Sequence, residues 1–390
     1  MKVASFSSDN IIYADNAATT RVLDEVAETM MNYQCIYYGN PSSRHLASRI
    51  PNEALNSSKR MIASCINCDE SEIYFTSGGT ESDNWALEGV LSATDRTDVI
   101  ISCIEHPAIL EKCKQLKNKG YNVIEIGVDN KGTIDISELK KEISDNTAIV
   151  SIMHSNNELG TVQDMSTIAD IVHRSGSILH TDAVQSLGHI KIDVQEMKVD
   201  LLSGSGHKFN GPKGVGFLYC KKTIPFNALI VGGHQQNNMR SGTENVPGII
   251  GMACALKNNC DMMQENLNRI SKMENKIREI LANSGLNYVI NGNNASKIPG
   301  ILNVSFKDIS GEALVDILSM KKICISTGSA CNSKTMEISN VLKAIRVDQN
   351  YINGTIRISL GRFNTEEESS IIGNTIIELV KKLTYCQHSV

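Results

Sequence analysis

From Glu72 onward, short apolar runs alternate with stretches of helical spacing. The runs are Ile73–Thr76, Val99–Ser102, Val123–Val128, Ala148–Met153 and Ile178–Thr181. Between them, 79–91, 107–119, 136–143 and 165–174 place apolar residues on one face of a helix. Short buried strands joined by amphipathic helices predict a mostly parallel sheet covered on both faces. Ahead of this region, Ile11–Ala14 predicts a strand, 22–33 a helix, and a second helix ends near Ala63, with Pro51 marking a kink or a late start. The pattern changes after residue 261. One long helix is predicted over 262–284, with Met263, Leu267, Ile270, Met273, Ile277 and Ile280 on one stripe and Gly285 as its stop. Short strands follow near Val289 and at Ile301–Phe306, Ile323–Ser326 and Thr355–Leu360. A last helix, 365–383, opens on the capping-box pattern Asn364-Thr-Glu-Glu-Glu. The expected fold class is α/β, with a large mostly parallel sheet domain over 16–261. A smaller α+β domain takes 262–390 and the N-terminal strand within 1–15.

The chain has 390 residues, 41% of them hydrophobic, which suits two domains with sizeable cores. A net charge of −5 gives no nucleic-acid surface, no apolar run has the length of a membrane span, and the first ten residues hold no signal-peptide core. The expectation is a cytoplasmic protein with no direct nucleic-acid or membrane partner. Its eleven cysteines are odd in number and unpatterned, which argues for thiols rather than a disulfide framework. Cys65 and Cys68 form a lone C-x-x-C late in a helical stretch, with no second pair at zinc spacing, and read as structural.

Ligands of such sheets collect at the carboxyl ends of the strands, and the candidate chemistry lies there. Ser77-Gly-Gly-Thr80 opens a helix with small residues, which suits an anion; by itself this is only a common helix start. Glu105-His106 follows the next strand; a histidine there can stack on a flat ring or carry a proton, though alone it reads as surface. Asn156-Asn-Glu158 and Asp182-Ala-Val-Gln185 follow two more strands. Lys208 lies in the Gly/Ser-rich stretch Ser203–Gly214, after the apolar segment Val199–Leu202, and suits covalent attachment of an aldehyde cofactor as well as a plain turn. Phosphate cradle, flat-ring histidine, acid and lysine in this order describe a pyridoxal phosphate site.

These segments resemble the cysteine desulfurases of the nitrogen-fixation and iron–sulfur-assembly class, fold-type I pyridoxal phosphate enzymes. The resemblance runs through Tyr13–Thr20, Gly39–Ser43, Thr76–Ser82, Glu105-His106, Asn156–Glu158, Asp182–Gln185, Ser205–Lys208, Arg240–Asn245, Ser329–Cys331 and Arg357–Arg362, almost end to end. It implies that Lys208 holds pyridoxal 5'-phosphate covalently, Asp182 pairs with the ring nitrogen, and Gln185 bonds the ring's phenolic oxygen. His106 would stack on the ring and move protons. Asn157 would contact the phenolic oxygen or the substrate carboxylate, and Arg357 would bind that carboxylate. Gly79, Thr80, Ser205 and His207 would hold the phosphate, and Thr243 would reach the phosphate of a second subunit, implying a homodimer. Cys331 would take the sulfur of L-cysteine as a persulfide, leaving L-alanine, and pass it to an acceptor protein for iron–sulfur cluster, tRNA-thiolation or DNA-phosphorothioation pathways.

The residues around Cys331 are small or polar, which suits a thiolate that attacks and then delivers sulfur, whereas Cys324 sits in an apolar strand and suits a buried role. The chain departs from the family at Gly232–Met239, where His234 is unusual, at Arg21, where proline is common, and at the C-terminal Tyr385–Val390. Three other readings compete. A selenocysteine lyase on the same fold would depend less on Cys331. A zinc hydrolase would use His180, Asp182 and His207, but His180 and Asp182 sit at one strand end without a third ligand at suggestive spacing. A sulfur-relay scaffold without catalysis is disfavoured by the intact Lys208, Asp182, His106 and Cys331 set.

Overall fold

The computed structural model describes residues 11–327 and 338–387, without the side chains of 386 and 387. Its largest element is a seven-stranded sheet. In spatial order the strands are Ile73–Thr76, Gly216–Cys220, Leu201–Ser205, Ile178–Asp182, Thr147–Ser151, Asp98–Ser102 and Asn122–Ile126. Gly216–Cys220 runs antiparallel to both neighbours, and the five strands beyond it are mutually parallel. Successive strand residues face opposite sides. Ile100, Val150, Leu202 and Phe217 join a core with the helices Arg49–Ile66, Met165–Val172 and Val246–Asp261. Their neighbours Val99, Ile101, Ile149, Leu201 and Leu218 join a second core with Gly79–Leu91 and Pro107–Asn118. Because both faces are covered, ligands reach the sheet only at its edges.

The predicted alternation of strands and helices is present, with boundaries moved by a few residues. Three differences affect the site region. The apolar segment that ends at Leu202 leads into a strand that runs on through Ser203 and Gly204 to Ser205, all buried. Small residues are required there because Phe217 and Leu187 crowd the position where a Gly204 side chain would stand. The strand Gly216–Cys220 was not foreseen, and it depends on Gly216: a Cβ would lie 2.5 Å from the Gly204 carbonyl oxygen and 2.7 Å from Gly78 Cα. Third, the helix Val246–Asp261 precedes the long helix, which spans Met263–Ala282. Asn245 caps it and Pro247 sits in its first turn. Pro51 falls in the first turn of the Arg49–Ile66 helix, so it marks a start and not a kink.

The C-terminal region forms a four-stranded antiparallel sheet, in the order Ser326–Thr327, Thr355–Ser359, Ile301–Phe306 and Tyr288–Asn291. The helices Met263–Ala282, Gly311–Met320 and Glu366–Gln387 share its core. The capping box is formed by Thr365 and Glu368, each accepting the other's backbone N–H at 3.1 Å. The predicted N-terminal strand joins this region: Ile12–Tyr13 pairs in parallel with Ile323–Cys324. Among the described residues no helix is long and apolar enough to cross a membrane.

Asp200 staples the sheet just before Leu201–Ser205. Its Oδ2 accepts from His173 Nε2 at 2.8 Å and from the Leu179 N–H at 3.0 Å, and Lys221 Nζ lies 3.4 Å from Oδ1. Burial raises this carboxyl, but the partners outweigh burial and hold it below its ordinary range. A carboxyl held low in the folded state stabilises above its unfolded value of about 3.9, and that stability is lost as pH falls through the lower folded value. Asp200→Asn is expected to cost about 1–3 kcal/mol at pH 7. The difference from the unaltered protein should shrink below about pH 4, as read by urea unfolding at both pH values.

Candidate active site

The carboxyl ends of the parallel strands, with Thr76, gather at one edge of the large sheet and open on a cavity of about 260 Å³. Its lining includes Gly79, Thr80, His106, Asn157, Asp182, Gln185, Ser205, His207, Lys208 and Arg357, each singled out in the sequence. It also includes Ala17, Ala18, Asp83, Met153 and Val184.

Lys208 ends a single 3₁₀ turn, Gly206–Lys208, that follows the strand Leu201–Ser205 directly. Its Nζ donates to the carbonyls of Ala17 (2.6 Å) and Ala18 (2.9 Å), so the amine is held at the cavity wall by the N-terminal turn. That turn is itself bound to the lysine loop. Thr20 donates its N–H and its hydroxyl to the His207 carbonyl, and the Asn210 N–H donates to Thr20 Oγ1. His189 Nε2 donates to the Lys208 carbonyl at 2.9 Å.

Three acids are buried in this region: Asp83 and Asp182 of the cavity lining, and Glu105 next to His106. Burial raises all three, and the charge of Asp182 raises Asp83 and Glu105 further. Only Asp182 has a lysine among the influences that lower it: His106, the Val184 N–H, which donates to Oδ1 at 2.8 Å, and the Lys208 ammonium. Asp182 is therefore the acid of the three best placed to keep a negative charge. Asp83 Oδ1 is buried without a hydrogen-bond partner, 3.8 Å from His180 Nε2. Beneath the site, His180 bonds Ser151 through Nδ1 and Ser203 through Nε2, and burial lowers it to about 3. Both its nitrogens are engaged, so it does not join Asp182 and His207 as a ligand set. Among the described residues no three His, Cys, Asp or Glu side chains gather to hold a metal.

His106 caps the helix Pro107–Asn118, and its Nδ1 accepts from the Ala108 N–H at 3.1 Å. That bond leaves the ring proton on Nε2 and fixes the imidazole at the cavity wall. Burial lowers its basicity, Asp182 raises it and Lys208 lowers it, with a net fall. Gly79 and Thr80 of the cavity lining open the helix Gly79–Leu91, whose first N–H groups have no acceptor within the helix. Ser205 and His207 stand beside it in the lining; burial lowers His207 to about 4, and its Nδ1 meets Thr19 Oγ1 at 3.1 Å. Pyridoxal phosphate fits this donor set. The helix start suits a phosphate, Lys208 suits the aldehyde carbon, Asp182 suits a ring nitrogen carrying a proton, and His106 offers a flat face.

Arg357 reaches the cavity from the small sheet and is 1% exposed. Its guanidinium donates to Asp15 Oδ1 at 2.8 Å and to the Asn157 carbonyl at 3.0 Å, and its buried Nε has no hydrogen-bond partner. A fork with an unused donor suits a further carboxylate. Gln185 Nε2 donates to the Ala17 carbonyl at 2.8 Å.

Thr243 is exposed and stands outside the cavity wall. Its neighbour Arg240 forms a bidentate pair with Glu81 of the Gly79–Leu91 helix, at 2.8 and 3.0 Å. Cys331 lies outside the described residues. Cys324 was expected to be buried but is only partly so; burial and then the Asp15 charge raise its thiol. The Ala17 and Ala18 carbonyls could not be found from side-chain types, because they act through the backbone. Asp83 could have been found, since it stands one helical turn after Gly79 and shares its face.

Residues 12–371 match the aminotransferase class-V family. The chain is 41% identical to the cysteine desulfurase IscS of Methanosarcina thermophila, over 97% of this chain and 94% of that protein. Among solved structures, a NifS-like protein matches with a TM-score of 0.90 at 38% identity, covering 96% of this chain and all of that one. A structure described as SspA in complex with cysteine matches with a TM-score of 0.80 at 32% identity, covering 91% of this chain and all of that one. With that fold and that likeness along nearly its whole length, the chain belongs to the aminotransferase class-V family and, within it, to the cysteine desulfurases, which are pyridoxal phosphate enzymes.

Proposed function

We propose that this enzyme converts L-cysteine to L-alanine and carries the sulfur as a persulfide on Cys331 to an acceptor protein. The observation that carries the proposal is the convergence of Lys208, Asp182, His106 and Arg357 on one cavity, in a chain 41% identical to a cysteine desulfurase. The likeness to a structure described with cysteine supports the substrate.

Pyridoxal phosphate, when bound, supplies an electron sink for charge that develops on the substrate carbon. Asp182 would provide the counter-charge for a protonated ring nitrogen, and His106 would offer a flat surface to the ring. Arg357, steadied by Asp15 and the Asn157 carbonyl, takes the substrate carboxylate. Lys208 Nζ and His106 are groups of the cavity wall that can take and return protons. The Cys331 thiolate attacks the sulfur of cysteine: an S–S bond forms, the Cβ–S bond breaks, and its electron pair stays with the carbon fragment, which gains a proton to become alanine. The persulfide sulfur then passes to the acceptor. Iron–sulfur assembly, tRNA thiolation and DNA phosphorothioation are the classes of acceptor pathway that suit this product.

In the same reading, residues 16–261 form the cofactor domain, and 1–15 with 262–390 the smaller one. Thr243 serves the phosphate of the second copy in a homodimer, which agrees with its exposure outside its own cavity. The enzyme acts in the cytoplasm; the nine cysteines with described side chains are all free, as a reducing compartment favours.

Cys331→Ala should keep the visible absorbance of the bound cofactor and lose sulfide release from L-cysteine plus a thiol reductant by at least about 100-fold. Release from L-cysteine at the unaltered rate would contradict the proposal, and retained activity on L-selenocysteine alone would favour a selenocysteine lyase. Arg357→Lys, which removes the planar fork, should raise KM for L-cysteine about tenfold or more while the cofactor's absorbance is kept. Steady-state kinetics on the holoenzyme check this.

A further inference from the structure

The Asn156–Glu158 turn carries a buried acid that the reaction above does not use. Glu158 follows Asn157 of the cavity wall and is 7% exposed. Its backbone is held at both ends: the N–H donates to Asn156 Oδ1 at 2.9 Å, and the carbonyl accepts from Asn303 Nδ2 at 3.3 Å. Its carboxylate Oε2 accepts the hydroxyl of Ser339 at 2.7 Å. Ser339 is itself buried and caps the short helix Asn340–Ala344, its Oγ accepting the N–H groups of Val341 and Leu342. One hydroxyl thus accepts twice and donates once, and its single proton goes to Glu158.

Two further observations tie this bond to the site. Val341, Leu342 and Ile345 pack on Ile104, Met153 and Leu159, so this stretch lies against the exits of the two strands that lead to His106 and Asn157. The preceding strand, Ser326–Thr327, pairs with Arg357-Ile356, and Arg357 donates to the Asn157 carbonyl. Asn157 and Glu158 therefore touch the chain on both sides of the stretch that contains Cys331, through Arg357 on one side and Ser339 on the other. Apolar contact alone would hold the helix against the strand exits without fixing its register. A buried carboxyl is costly unless its partner makes use of it. Burial pushes Glu158 up to about 7, against the opposing effects of the Ser339 bond and Arg357.

We propose that Glu158 is a positioning residue for sulfur transfer. Through Ser339 it fixes the chain that follows Cys331 relative to the Asn157 turn and the substrate site at Arg357. This rests on the reading of Cys331 as the sulfur acceptor. It requires that breaking the bond slow persulfide formation more than it weakens the binding of cofactor or cysteine.

The test compares holoenzymes carrying Glu158→Gln, Glu158→Ala, Ser339→Ala and the Glu158→Ala/Ser339→Ala pair. Cysteine binding is read from the cofactor's absorbance change, and persulfide on Cys331 from alkylation and mass spectrometry during a single turnover without reductant. Glu158→Ala and Ser339→Ala should each slow persulfide formation about tenfold or more, as expected for a misplaced reacting group. The double variant should be no slower than the slower single one, as for two ends of one interaction. Glu158→Gln keeps an oxygen acceptor for Ser339 and should restore the rate to within about threefold. Ser339→Ala also removes a helix cap, so if it fails to fold the two Glu158 variants carry the test. Unaltered rates in both alanine variants, additive losses in the double variant, or loss of cofactor binding that matches the loss of rate would each overturn the role of Glu158. Persulfide found in the unaltered enzyme on a cysteine other than Cys331 would overturn the sulfur-acceptor reading instead, and this proposal with it.

Discussion

A carboxylate enclosed at the end of a central strand sets the terms for this active site. Asp182 ends the strand Ile178–Asp182, and burial drives it toward the neutral form. Taking such a group out of water costs several kcal/mol unless a cation or a set of donors replaces the solvent. The fold supplies the Val184 N–H, His106 and Lys208, and leaves space beside them. The neighbouring acids Asp83 and Glu105 lack cationic partners and are driven further toward neutrality, so the negative charge is concentrated on one residue. A cationic ring nitrogen in that space would complete the balance, which suits the ring of pyridoxal phosphate.

The rest of the molecule keeps that balance in place. The turn Asp15–Thr20 links three parts at once. Its Ala17 and Ala18 carbonyls hold Lys208, its Thr20 binds the lysine loop, and Asp15 pairs with Arg357 of the small sheet. Asp15 also bridges Ser359, the last residue of the inner strand Thr355–Ser359, and Ile12–Tyr13 pairs with Ile323–Cys324. An N-terminal segment of few residues thus sets the lysine of one sheet against the arginine of the other.

Much of this could be read in the sequence, because buried parallel strands show as short apolar runs and their exits are marked by small or polar residues. Gly79, His106, Asn157, Asp182 and Lys208 all follow such runs, and all line the cavity. What escaped was set by tertiary contact. Ser203-Gly-Ser205 reads as a loop by composition, yet it is the buried end of a strand, small because Phe217 and Leu187 press on Gly204. The helix Val246–Asp261 carries little periodic signal because it packs against both N-terminal helices, and its Asn259 donates to the Phe209 carbonyl beside Lys208. The partners of Lys208 and Arg357 are far away in the chain, and two of Lys208's are backbone carbonyls, so no spacing of side chains announces them.

Lys208, held at the cavity wall by the Ala17 and Ala18 carbonyls, is the residue we propose as the covalent anchor of the cofactor. Borohydride reduction of the holoenzyme fixes the link between protein and cofactor, and peptide mass mapping then locates it. A pyridoxyl phosphate group is expected on the peptide containing Lys208 and on no other lysine. Attachment at a different lysine, or a coloured holoenzyme with no covalent link, would contradict it.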